Sequence, residues 1–153
     1  MAKQIYLIGS LRNENVPTLA KEIREKTGLF VFDDWFSPGP EADDFWRKYE
    51  KKRGSTYKQA LNNWAGKHVF EFDKKHIDES DIGLLYMPAG KSGHLELGYM
   101  IGCGKPSYIL FDKEPERWDV MYQFATDVFF DKEELIQELI IKFGSTDFKP
   151  LSF

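Results

Sequence analysis

Five short apolar runs, each stopped by a turn-forming residue, alternate along this chain with longer stretches of helical spacing. The runs are residues 4–8, 29–32, 82–87, 106–111 and 126–130. They carry little internal polar alternation, so they read as strands buried on both faces of a sheet. Between the first two lies a helix. Pro17 suits its first turn, Val16, Leu19, Ala20 and Ile23 share one face, and Gly28 closes it. Residues 33–40 form a loop, since two prolines and a glycine crowd its end. Residues 41 to about 64 read as helical with a break near Gly54-Ser55. Residues 67–80 read as an irregular stretch leading to a short helix, residues 95–103 as a helix and residues 114–124 as helical. The last helix opens at Asp131, with Glu134 three residues on in a capping-box pattern. It buries Leu135, Ile136, Leu139, Ile140 and Phe143 and ends at Gly144.

Buried strands alternating with helices require a parallel sheet with helices on both faces. Right-handed crossovers then make it doubly wound, a flavodoxin- or Rossmann-like sandwich with about five strands. The expectation is one α/β domain over residues 1–153, with a helical insertion at about 37–66. Ligands of such sheets sit beyond the carboxyl ends of the strands. The loops to search are residues 9–13, 33–40, 88–96 and 112–119.

Charge narrows the partners. Lys and Arg number 21 against 25 Asp and Glu, a net charge of −4. That balance lacks the footprint of a general nucleic-acid binder and still permits a small anion held by local cations. The single Cys103 excludes an internal disulfide framework and a multi-Cys zinc site, and fits a reducing, cytoplasmic home. No stretch approaches the roughly 18 apolar residues of a membrane span, and the first apolar run is too short for a signal peptide.

Several residues could carry chemistry. Glu96 falls on the expected first turn of the helix after strand 82–87, where the helix dipole keeps a carboxylate ionised. Such a carboxylate can attack a carbon with cation character, or serve the dipole alone. Asp73 lies among aromatics in Phe70-Glu71-Phe72-Asp73. Desolvation would raise its pKa and make it a proton donor, and a solvated cap is the plainer alternative. Asp81 reads as a strand-opening turn residue. Gly9 permits close backbone approach, and Ser10 and Arg12 can donate to an anion. Gly90-Lys91-Ser92-Gly93 adds donors without the glycine spacing of a Walker loop. His68, His76 and His94 have no metal-ligand spacing and read as surface or supporting residues. Cys103 reads as a small core residue. Trp35 and Phe36 either stack on a flat ligand or pack.

Three motifs together resemble the nucleoside 2-deoxyribosyltransferase family, including its 2′-deoxynucleoside 5′-phosphate N-hydrolase branch. They are Tyr6-Leu7-Ile8-Gly9-Ser10-Leu11-Arg12, Asp73 eight residues before Asp81, and Leu95-Glu96-Leu97-Gly98-Tyr99 followed by Gly104-Lys105-Pro106. The resemblance implies a nucleoside or nucleoside 5′-monophosphate as substrate, no cofactor and a homodimer or larger homo-oligomer. It implies Glu96 as nucleophile on the anomeric carbon, Asp73 as the acid that protonates the departing base, and Tyr6 as the residue that tunes Glu96. It implies Ser10, Arg12 and Ser92 as phosphate contacts. The two carboxyl groups of such a retaining site lie about 5 Å apart. Asp119-Val120-Met121 is similar to the segment with which family transferases reach the sugar of a neighbouring subunit. An acidic Asp119 repels a 5′-phosphate, whereas Ser10 and Arg12 attract one. The loop Pro38-Gly39-Pro40 and the aromatic segment after it match nothing in the family. A nucleotide sensor without turnover and an interaction module built on the Trp-rich insertion are the rivals from other classes.

Overall fold

The computed structural model describes residues 2–144 and forms a five-stranded, all-parallel sheet in the order β2-β1-β3-β4-β5. Its strands are β1 (Gln4–Ile8), β2 (Phe30–Phe32), β3 (Ile82–Tyr86), β4 (Ser107–Leu110) and β5 (Asp127–Phe129). All five expected runs became strands, the first with its expected bounds and the other four trimmed by a residue or two where pairing ends. The helices are α1 (Val16–Thr27), α2 (Ala42–Lys52), α3 (Tyr57–Asn62), α4 (Trp64–Glu79), α5 (Lys91–Gly102) and α6 (Lys132–Phe143). Among the described residues no helix is long and apolar enough to cross a membrane.

The pleat divides the core. Ile5 and Leu7 of β1 face α1 and α6, where Leu19, Ile23, Leu135 and Leu139 bury against them. Tyr6 and Ile8 face the other way, toward Ile77 of α4 and Leu97 and Met100 of α5. α1 ends as its sequence requires, with Gly28 at φ 73° and its N–H donating to the Arg24 carbonyl.

Four expectations need correction. Residues 67–79 belong to one continuous helix, α4, whose flanking cap residues Asn63 and Ser80 are both extended. Exposed Val69, Phe70 and Phe72 blur its period, because apolar side chains that face outward imitate a strand. Residues 114–124 are not a helix. Only the 3₁₀ turn Val120–Phe124 forms there, opened by Asp119 Oδ1 accepting from the Met121 N–H. α5 begins four residues earlier than expected, at Lys91, directly after the Pro88-Ala89-Gly90 loop. At α6 the Asp131 carboxylate caps the Glu133 N–H, one residue short of the expected box partner.

Candidate active site

The sheet order reverses direction between β1 and β3, and the crevice there is where doubly wound sheets bind ligands. A pocket of about 500 Å³ opens at that point. Ser10, Arg12, Asn13, Glu14 and Asn15 line it from beyond β1, and Pro88, Ala89 and Gly90 from beyond β3. The first turns of α1 and α5 start beside it, so two helix dipoles direct positive potential at one spot. Arg12 adds an exposed guanidinium, and Ser10 Oγ accepts from the Arg12 N–H, shaping the turn. Gly9 is required here: a Cβ would stand 3.2 Å from Val16 Cγ2 and 3.6 Å from the Trp35 ring. Ser92 lies exposed on the first turn of α5, two residues past Gly90.

Behind the pocket, on the α4–α5 face, three polar side chains gather. Tyr6 is almost wholly buried mid-strand, between Phe32 of β2 and Gly83 of β3 in register. Two glycines let α5 settle close to it. A Cβ at Gly83 would lie 2.9 Å from Ser107 Oγ and 3.0 Å from Met100 Sδ, and one at Gly93 3.0 Å from Leu85 Cδ1. The inward stripe of α5 is then Gly93, Glu96, Leu97 and Met100, at helical spacing, with Glu96 half-buried within it. From α4, half-buried Asp73 lies one turn before buried Ile77.

Each of the three feels the others. Burial, and then Asp73, push the Glu96 carboxyl up to about 7. Burial pushes Asp73 up to about 6, opposed by His76. Burial, then Glu96 and then Asp73, drive the Tyr6 phenol far above its usual range, so it stays protonated. Among the described residues none of these three polar groups has a hydrogen-bond partner, although each lies within electrostatic reach of the others. The expectation that the dipole keeps Glu96 ionised is therefore corrected. Glu96 sits on the second turn of α5, and its desolvation outweighs the dipole.

Other candidates are placed elsewhere. Asp81 Oδ2 accepts from the Gln4 N–H, and the Asp81 N–H donates to the Gln4 carbonyl, a brace between β1 and β3. Trp35 packs between both cores and donates from Nε1 to the Leu7 carbonyl at 2.6 Å. Phe36 packs against the α1–α6 core. Asp119 and Met121 are exposed and make no hydrogen bond or ion pair with Tyr6, Asp73 or Glu96 among the described residues. Their segment is clasped to α5 by the Tyr122 hydroxyl and His94 Nε2, 2.9 Å apart. His94 Nδ1 donates to the Gly90 carbonyl, which leaves Nε2 to accept in the neutral ring. His68 stacks on exposed Trp64. Cys103 is exposed and not a core residue, because it follows α5 off the buried stripe. Among the described residues no group of three or more His, Cys, Asp or Glu could hold a metal ion.

Solved structures share this fold. A 2-deoxyribosyltransferase from Bacillus psychrosaccharolyticus matches with a TM-score of 0.58 and 19% identity, over 87% of this chain and 90% of that one. A CMP N-glycosidase from Clostridium botulinum matches at 0.51 and 17%, over 90% and 98%. A conserved protein from Enterococcus faecalis V583 matches at 0.62 and 12%, over 91% and 98%. The doubly wound α/β architecture expected from buried strands alternating with helices is the one observed, and it is the fold these structures share. No family model matches the sequence, and no curated protein does.

Proposed function

We propose that this protein cleaves the N-glycosidic bond of a nucleoside 5′-monophosphate or nucleoside, by hydrolysis or transfer to a second base. What supports the reading is that Asp73, Glu96 and Tyr6 act on one another's proton affinity, while Ser10 and Arg12 line a pocket beyond β1 and β3. Burial raises the proton affinity of Asp73 toward neutrality, the direction an acid for a departing base needs. Glu96, once ionised, captures the anomeric carbon as the bond to the base breaks through an oxocarbenium-like state. Water or a second base then attacks that carbon and frees Glu96. The permanently protonated Tyr6 phenol is the donor that favours the anionic form of Glu96 when substrate fills the site.

Ser10, Arg12, Ser92 and the two helix starts would receive the 5′-phosphate, with Gly9 giving the room. That favours the monophosphate over the free nucleoside. Asp119 and Met121, exposed beside the apolar surface of Trp118, Val120 and Phe124, would serve a neighbouring copy in a homo-oligomer.

The experiment is incubation with a panel of nucleosides and 5′-monophosphates, scored for free base. Base release greatest from a monophosphate, and lost in Arg12→Ala through a raised KM, supports the reading. Tight binding with neither release nor exchange would make the protein a sensor.

A further inference from the structure

His76 takes no part in the chemistry proposed above, yet it is built into the wall behind Asp73. Its ring lies on Phe32 with centroids 4.1 Å apart and planes at 13°. Phe32 also stacks with Tyr6, at 5.4 Å and 25°. Phe72, one turn earlier on α4, closes on the imidazole edge at 4.7 Å and 66°. The imidazole is therefore gripped by rings. Its nearest charged atom is Glu79 Oε2, 3.7 Å from Nδ1. Asp73 precedes His76 by three residues, so both project from the same face of the helix.

We propose that His76 is a positioning residue for Asp73, locking that turn of α4 onto the stacked rings of Phe32 and Tyr6 and placing its imidazole beside the carboxyl. The inference rests on Asp73 being the proton donor. Flat rings in offset contact fix the rotation of α4, and a turn of the helix about its axis would carry Asp73 away from Glu96. A protonated imidazole on a phenyl face is also a favourable arrangement. The charged state of His76 lowers the proton affinity of Asp73, against the larger effect of burial. On α4, Asp73 and Glu79 face the imidazole, and Glu79 is shared with Lys75 at 4.0 Å. β2 presents only the uncharged ring of Phe32. Tyr6 of β1 lies behind that ring, and Glu96 of α5 acts on Asp73.

Two variants separate the clamp from the charge. His76→Phe keeps a ring and loses the charge, and His76→Gln loses the ring. The Asp73 carboxyl is titrated by carbon-13 NMR, and base release is followed against pH. In His76→Phe the Asp73 midpoint rises by roughly half to one pH unit. The acid limb of the base-release profile, which belongs mainly to Asp73, moves up with it, with KM unchanged. In His76→Gln kcat falls about tenfold or more across the range, because Asp73 is misplaced. An Asp73 midpoint that does not move in His76→Phe overturns the proposal, as does full kcat in His76→Gln. If the wild-type protein releases no base from any substrate, the enzymatic reading fails, and the NMR midpoint alone then decides the role of His76.

Discussion

At the scale of single residues, the site is two carboxyl groups competing for a proton. Burial raises both carboxyls, Glu96 to about 7 and Asp73 to about 6, so the proton favours Glu96. The proposed chemistry requires the opposite placement, Glu96 ionised and Asp73 protonated, which is the less populated singly protonated form before substrate binds. It follows that kcat/KM against pH is a narrow bell, rising as the pair loses its first proton near pH 6 and falling as it loses the second near pH 7. A stopped or continuous assay of base release from pH 4 to 9 checks this, and a flat profile through neutrality contradicts it. Asp73→Asn removes a proton donor and lowers kcat by about 10² to 10⁴. That loss shrinks for a nucleoside analogue with a nitrophenyl-like leaving group, which departs without protonation. An equal loss for both leaving groups would remove Asp73 from the acid role.

At the scale of elements, the sheet was legible because its strands are unbroken apolar runs, and β1 through β5 appear where those runs lie. The helices were legible where one face is buried, as in α1 and α6. α4 was not, since it is exposed along Val69, Phe70 and Phe72 and turns only Asp73, His76, Ile77 and a few neighbours inward. Its candidate site residue still stood out, because Asp73 lies among aromatics. Glu96 was legible as a residue and misread as to environment: at i+3 from Gly93 and one before Leu97 it lies on the apolar stripe of α5. Gly83 and Gly93 went unread, since a glycine that permits close packing has no signature in one sequence. They yield a prediction. Gly93→Val drives branched methyls toward Leu85 and Ile8 and lifts α5 from the sheet, costing on the order of 2 kcal/mol of stability. Because Glu96 rides on that helix, kcat should fall by more than the loss of folded protein explains. Thermal melts alongside kinetics on the folded fraction measure both, and a normal kcat on a destabilised fold would detach Glu96 from the packing of α5.

At the scale of the molecule, the topology sets the carboxyl ends of β1 and β3 side by side, and the pocket lined by Ser10 and Arg12 opens there. The apolar surface of Trp118, Val120, Met121 and Phe124 is unusual for a free monomer. Light scattering at micromolar concentration should give a dimer or larger even assembly, shifted toward monomer by Val120→Asp. A wild-type monomer would deny Asp119 and Met121 a partner's site. The central claim is met most directly by Glu96→Gln, assayed for base release and melting temperature together. Glutamine keeps the size of the side chain and cannot be an anionic nucleophile, so turnover falls by several orders of magnitude with every base. Stability moves the other way. The folded state binds protons at Glu96 and Asp73 more tightly than the unfolded chain does, with values of about 7 and about 6 against 4.5 and 3.8. Their stabilising effect is therefore complete below about pH 4 and lost as pH rises through about 7. Above that window a neutral glutamine relieves a buried charge, and the variant should melt higher than wild type at pH 8, by an amount on the order of 1–3 kcal/mol. A Glu96→Gln protein that releases base at the normal rate and melts lower than wild type would contradict the account.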